Sequence, residues 1–142
     1  MMIAENSAPQ TAKRVLVVDD EKVINRVLSD ILRKEGFEVD ASFDGHQALA
    51  AFKTFRPHLV IMDVMMPKEN GYRVARRIKT ACRTCRTLRE PKIMLLTARD
   101  LSHDPTRENT MHLFSLADTY MYKPFVVEEL LEKVRSLLSL PN

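Results

Sequence analysis

Four short apolar runs in this chain each stop at a residue that phosphoryl chemistry can use. Val15-Leu16-Val17-Val18 runs into Asp19-Asp20-Glu21, and Leu59-Val60-Ile61-Met62 runs into Asp63. Ile93-Met94-Leu95-Leu96 runs into Thr97-Ala98, and Tyr120-Met121-Tyr122 into Lys123-Pro124. An unbroken apolar run of this length reads as a parallel strand buried on both faces, with its polar end open to solvent. Ligand sites in open α/β sheets lie beyond the carboxyl ends of the strands. Aligned in one sheet, the four runs would bring carboxylates, a hydroxyl and an ammonium to a single edge. Those groups suit a magnesium ion and a phosphoryl group.

The segments between the runs carry helical periodicity. Val23, Ile24, Val27, Leu28, Ile31 and Leu32 recur at helical spacing, and Gly36 suits the left-handed cap that would end such a helix. Residues 37–41 alternate as a short strand, and Asp44-Gly45 opens a second helix through Ala48, Leu49, Phe52 and Phe55 that Pro57 closes. A third helix is expected after Gly71, with Val74, Ala75, Ile78 and Cys82 inward. A weaker amphipathic segment spans about 106–116, and a last helix about 126–140. Strand and helix alternate five times, which predicts a parallel sheet covered on both faces. Residues 1–13 are polar and show neither period, so they are expected to form a tail.

At 142 residues the chain suits one domain, and its 45% hydrophobic and 29% charged content is that of an ordinary globular protein. No apolar run approaches the roughly 20 residues of a membrane span, and the start lacks the basic-then-apolar pattern of a signal peptide. A cytoplasmic location is the simplest expectation. The formal charge of +3 is concentrated: Arg73, Arg76, Arg77, Lys79, Arg83, Arg86, Arg89 and Lys92 are opposed only by Glu90. A solvated face accounts for that segment; a dock for an acidic partner is the functional alternative. No aromatic residue stands between Arg73 and Lys92, so direct nucleic-acid binding is not expected. Cys82 and Cys85 form a Cys-Arg-Thr-Cys pair without the further ligands of a zinc site, unless His103, His112 or a second chain supplies them.

In this order and at these strand ends, the motifs Val17-Val18-Asp19-Asp20-Glu21, Asp63-Val64-Met65-Met66-Pro67 with Gly71, Leu96-Thr97-Ala98 and Lys123-Pro124-Phe125 carry a family resemblance. The chain resembles the receiver (CheY-like) domain of bacterial two-component response regulators over about residues 14–139. The resemblance implies a flavodoxin-like α/β fold, a five-stranded parallel sheet of order 2-1-3-4-5 with helices on both faces. It also implies that Asp63 is the nucleophile that becomes an acyl phosphate. Asp20, Asp63 and the Met65 carbonyl would hold Mg²⁺, with Mn²⁺ as the alternative ion, while Asp19 acts through water or by orienting Lys123. Lys123 and Thr97 would assist the transfer and, with the Ala98 N–H, contact the phosphoryl oxygens.

The same resemblance makes Thr97 and Tyr120 a switch that reshapes the surface of the fourth helix, fifth strand and fifth helix, where a protein target, an output domain or a second copy would bind. The phosphoryl donor is expected to be a sensor histidine kinase or a histidine phosphotransfer protein. The Lys123-Pro124 peptide is expected to be cis. A haloacid-dehalogenase-type phosphatase is the rival enzyme reading, but Val64-Met65 follows Asp63 where that class carries a second Asp two residues on. The chain therefore reads as a phosphoacceptor acting on itself, not as an enzyme turning over external substrate. A receiver-like adaptor working through the basic segment without taking up phosphate is the third reading. Two departures from the family pattern stand out. Leu116 replaces a glycine before Ala117-Asp118, and Val126 replaces a capping residue before the last helix. Arg99 and Met65 border the approach of water and are candidates for controlling phosphoryl lifetime.

Overall fold

The computed structural model describes residues 12–98 and 104–140. Five strands and five helices alternate in order: β1 (Arg14–Val18), α1 (Lys22–Lys34), β2 (Glu38–Ser42), α2 (Gly45–Phe55), β3 (Leu59–Asp63), α3 (Gly71–Thr84), β4 (Lys92–Ala98), α4 (Pro105–Ser115), β5 (Thr119–Lys123) and α5 (Val127–Leu137). The strands form one sheet in the order β2-β1-β3-β4-β5. All four pairings are parallel. This is the flavodoxin-like arrangement expected from the alternation of strands and helices.

The pleat of the sheet sorts its residues into two cores. Leu16, Val18, Val60, Met62, Ile93 and Leu95 face Ala48 and Phe52 of α2 and Val74 and Ile78 of α3. Val15, Val17, Leu59, Ile61, Met94 and Leu96 face Leu28 and Leu32 of α1 and Leu130 and Val134 of α5. Successive side chains of a strand point to opposite faces, so strands covered on both sides must be apolar throughout. That is why β3 is buried at every position. Large-to-small changes in these layers would cost about 2–5 kcal/mol each.

Local chemistry sets the helix ends. Gly36 takes φ +97 after α1; its N–H donates to the Arg33 carbonyl, and the Phe37 N–H to the Leu32 carbonyl. This paired return of carbonyls is the Schellman closure that glycine makes cheap. The Asp44 carboxylate accepts from the Gln47 N–H at the start of α2, and Asn70 accepts from the Arg73 N–H at the start of α3. Asp104 caps α4 through the N–H groups of Thr106 and Arg107. Val126 gives α5 no side-chain cap, as its apolar side chain requires. Leu116 adopts the left-handed conformation itself, at φ 63, and bears the strain that a glycine would avoid.

Two readings of helical faces change. The buried stripe of α1 is Asn25, Leu28, Ser29 and Leu32, whereas Val23 and Val27 are 77% and 52% exposed. The helix is rotated so that a polar pair reaches the sheet, for a reason given below. The basic segment is not a uniform solvated face either. Lys79 is buried, and its Nζ donates to Asp118 Oδ2 at 2.7 Å, Glu90 Oε2 at 3.1 Å and the Pro91 carbonyl at 2.9 Å. Arg77 pairs with Glu69, Arg83 with Glu90, and Arg76 donates to the Phe114 carbonyl while lying over its ring. The last helix ends at Leu137, earlier than its apolar pattern suggests, and Ser139 turns left-handed at φ 57.

Candidate functional site

Because all the strands are parallel, their carboxyl ends share one edge of the sheet. Register fixes what meets there: Asp63 lies beside Leu96, and Ala98 beside Lys123. Asp19 follows β1 directly, and its N–H donates to the Ser42 carbonyl of β2. Asn25 explains the rotation of α1. Its side-chain amide donates to the carbonyls of Asp19 at 3.1 Å and Ser42 at 2.9 Å, with a longer contact to Val17, while its Oδ1 accepts from the Ser29 hydroxyl. This buried amide ties the two strand ends together beneath the acidic residues. In the sequence it was hidden inside an apolar stripe.

Asp19 and Asp63 are buried, Asp20 is half-buried, and one carboxylate oxygen from each lies within 4.8 Å of the others. Among the described residues this is the group of His, Cys, Asp or Glu side chains close enough to share an ion. Lys123 Nζ lies 3.3 Å from Asp63 Oδ1 and 3.8 Å from Asp19 Oδ2. The Glu21 N–H donates to Asp19 Oδ1 at 2.9 Å, and the Met65 N–H to Asp63 Oδ1 at 3.3 Å. Asp19 Oδ2 is buried without a hydrogen-bond partner.

Burial raises both the Asp19 and Asp63 carboxyls above the ordinary carboxylate range. For Asp63 the Lys123 ammonium and the Met65 N–H pull the other way; for Asp19 the Glu21 N–H does so first. The Asp63 and Asp20 carboxylates also raise Asp19, and Asp20 raises Asp63. Three clustered acids facing a single ammonium leave a net negative site. An all-oxygen donor set with an orphaned buried oxygen fits a hard divalent cation.

Gly71 lets the loop after β3 close on the site. Its N–H donates to the Val64 carbonyl at 2.9 Å, and a Cβ there would stand 2.5 Å from the Asp63 carbonyl oxygen. Thr97, at the end of β4, is buried, and its side chain neighbours the Tyr72 hydroxyl of α3. Ala98 closes the strand and is exposed. Tyr120 points outward, 36% exposed. Its ring stacks on His112 of α4 with centroids 3.7 Å apart, and His112 in turn meets Tyr72 edge-on at 5.6 Å.

The structure thus brings Asp19, Asp20, Asp63 and Lys123 together. Met65 lies in the adjoining loop with its side chain 69% exposed, Thr97 is turned to Tyr72, and Tyr120 stands apart against α4. Arg99 and His103 lie outside the described residues. Tyr72 gave no signal in the sequence, and His112 stood out only as a possible ligand beside the cysteines, because nothing local links Tyr72 to Thr97 or to His112. The Lys123-Pro124 peptide is cis. Cys82 and Cys85 are free thiols: Cys82 contacts the Arg89 carbonyl, and Cys85 the Thr87 hydroxyl.

The family model of the response regulator receiver domain matches residues 15–135. The chain belongs to that family. It is 38% identical over 125 residues to the response regulator MprA of Mycolicibacterium vanbaalenii, a match covering 88% of this chain and 50% of that protein. It is 39% identical over 126 residues to the DNA-binding response regulator MtrA of Mycolicibacterium smegmatis, covering 89% and 50%. The chain therefore spans about half the length of the curated relatives it matches. Among solved structures it is similar to the response regulator TrrA of Thermotoga maritima in complex with Mg²⁺-BeF, at 37% identity and a TM-score of 0.72, covering 88% of this chain and 98% of that one. It is also similar to the chemotaxis response regulator CheY4 of Vibrio cholerae, at 26% identity and a TM-score of 0.74, covering 89% and 99%. This receiver has no helix, among the described residues, long and apolar enough to cross a membrane.

Proposed function

We propose that the receiver accepts a phosphoryl group on Asp63 and signals by the conformational change that follows. The observation that carries this reading is a buried Asp63 carboxylate 3.3 Å from Lys123 and clustered with Asp19 and Asp20. An Asp63 oxygen attacks phosphorus, the bond from phosphorus to the donor's imidazole nitrogen breaks, and the leaving imidazole takes up a proton. The product is a mixed carboxylic–phosphoric anhydride.

Asp20, Asp63 and the Met65 carbonyl would hold Mg²⁺ (or Mn²⁺), with Asp19 beside them. The ion, when bound, would neutralise charge between carboxylate and phosphoryl oxygens. Lys123 supplies the opposing positive charge from β5, first to the carboxylate and then to a phosphoryl oxygen. Asp19 holds the lysine near its working position. The Thr97 hydroxyl and Ala98 N–H then bind the remaining oxygens. For Thr97 this requires leaving Tyr72, and Tyr120 leaves the His112 stack for the space so freed. That two-position pair is the bistable element which an added phosphoryl charge would bias.

The donor would be a histidine kinase or phosphotransfer protein. The altered α4–β5–α5 surface would be read by a protein target, an output domain or a second copy of the receiver. Residues 14–139 form the signalling unit in this reading, with residues 1–13 as a tail. Intact mass after incubation with Mg²⁺ and acetyl phosphate tests the proposal. One phosphoryl adduct is expected on the wild type and none on Asp63→Asn. Equal labelling of that variant would overturn the assignment.

A further inference from the structure

The basic residues left over by the phosphorylation edge gather at the opposite edge of the sheet, where the strands begin. Arg14 opens β1, Arg56 and His58 lie between α2 and β3, and Arg89 precedes β4. Arg14 Nε and its terminal nitrogen reach the Arg56 carbonyl at 3.2 and 3.0 Å, and Nε also reaches the Phe55 carbonyl at 2.9 Å. Arg89 donates to the same Arg56 carbonyl at 2.5 Å. Two guanidinium groups from distant parts of the chain therefore meet at one oxygen. The Arg56 guanidinium itself donates to the Thr87 carbonyl at 2.7 Å, in the loop that carries Arg89.

Capping the C-terminus of α2 explains one of these cations but not three. A helix end presents a charge of about −0.5, against three full positive charges. Among the described residues no carboxylate pairs with Arg14, Arg56 or Arg89; the ion pairs of the molecule involve other cations. Glu38 stands beside Arg14 in the sheet register without forming an ion pair with it. Burial first, and then Arg14 and Arg56, hold the Arg89 guanidinium below its ordinary range. His58, whose Nδ1 accepts from the Arg14 N–H, adds no negative charge.

We infer that Arg14, Arg56 and Arg89 form a binding site for a small phosphate-type oxyanion at the edge of the sheet opposite Asp63. Guanidinium forks match phosphate oxygens two at a time, and an anion there would relieve a repulsion that the fold leaves standing. Nucleic-acid backbone is the less favoured occupant, because two of the three guanidiniums meet at one carbonyl oxygen and so suit a single anion rather than a run of phosphates. The site does not depend on phosphoryl acceptance at Asp63, so either reading can fail without the other.

The test titrates the whole chain with inorganic phosphate, then pyrophosphate, against chloride at equal ionic strength and without Mg²⁺. The His58 ring resonances and the Ala98 amide are followed by NMR as reporters of the two edges. Saturable movement at His58 but not Ala98 is expected, with affinity about tenfold weaker in Arg89→Gln and partly restored in Arg89→Lys. Arg56→Gln serves as a second variant if Arg89→Gln does not fold. The inference is overturned if chloride reproduces the shifts, if the Gln variants bind phosphate as well as the wild type, or if Ala98 moves in place of His58. It is also overturned if a short oligonucleotide binds more tightly in proportion to its length.

Discussion

Replacing Gly71 with alanine should damage both the fold and the phosphorylation edge, through a single methyl group. The added Cβ would lie 2.5 Å from the Asp63 carbonyl oxygen and 2.9 Å from the Val64 Cα. Both neighbours are backbone, and β3 is buried along its whole length, so neither can swing aside. Reaching even a tight contact of 3.0 Å demands a shift of about half an ångström in the segment that carries the Asp63 carboxylate. Overpacking of this kind costs about 1–3 kcal/mol, and the better helix propensity of alanine returns at most about 1 kcal/mol. The expected net loss is about 1–2 kcal/mol.

The same shift disturbs two contacts already at 3.3 Å, from the Met65 N–H and from Lys123. Acetyl phosphate labelling should therefore slow about tenfold or more, since small misplacements at a reacting centre carry large rate penalties. Gly36→Ala provides the contrast: nothing lies within 4 Å of its Cβ, so only its φ of +97 opposes the change. That variant should lose about 1 kcal/mol and label normally. Urea unfolding and labelling rates, measured on both variants, decide the matter. A Gly71→Ala protein as stable and as quickly labelled as the wild type would refute the packing argument.

Leu116→Gly should stabilise the chain by up to about 1 kcal/mol, because φ 63 suits glycine; a lower urea midpoint would show that the half-buried leucine side chain matters more than its backbone. Asp118→Ala should cost about 1.5–3 kcal/mol by removing the 2.7 Å partner of the buried Lys79 ammonium, and a smaller loss would mean that Glu90 and the Pro91 carbonyl suffice. His58 is held down to about 4 from its usual 6.5, by burial first and then by Arg89, Lys13 and Arg14. The unfolded chain therefore binds that proton more readily, so stability from His58 is complete above pH 6.5 and is lost as the pH falls toward 4. After discounting for solvent screening, the loss is about 1 kcal/mol, and His58→Gln should flatten the urea midpoint across that window.

The fold was legible because each strand is an apolar run with a polar end, a pattern that only a doubly covered parallel sheet explains. Asp19, Asp20, Asp63 and Lys123 were legible for the same reason: their place at strand ends follows from the runs that precede them. What the sequence hid depends on rotation and on contacts across the chain. The helical repeat of α1 put Val23 and Val27 in the inward stripe, yet the structure turns Asn25 and Ser29 to the sheet, because three backbone carbonyls there need donors. Lys79 read as part of a solvated face because its partner Asp118 is 39 residues away. Tyr72 and His112 were invisible as neighbours of Thr97 and Tyr120 for the same reason. Leu116 was legible as a misfit, and it accepts the left-handed turn in place of the glycine.

A crystal structure of this receiver with Mg²⁺ and beryllofluoride would test the central claim most directly. The account predicts beryllium bonded to an Asp63 carboxylate oxygen, with the ion between Asp20, Asp63 and the Met65 carbonyl. Fluorines should contact Lys123, the Thr97 hydroxyl and the Ala98 N–H, with Tyr120 parted from His112. An Asp63 carboxylate left bare and still paired with Lys123 under saturating beryllofluoride, or a beryllium adduct on any other residue, would contradict it.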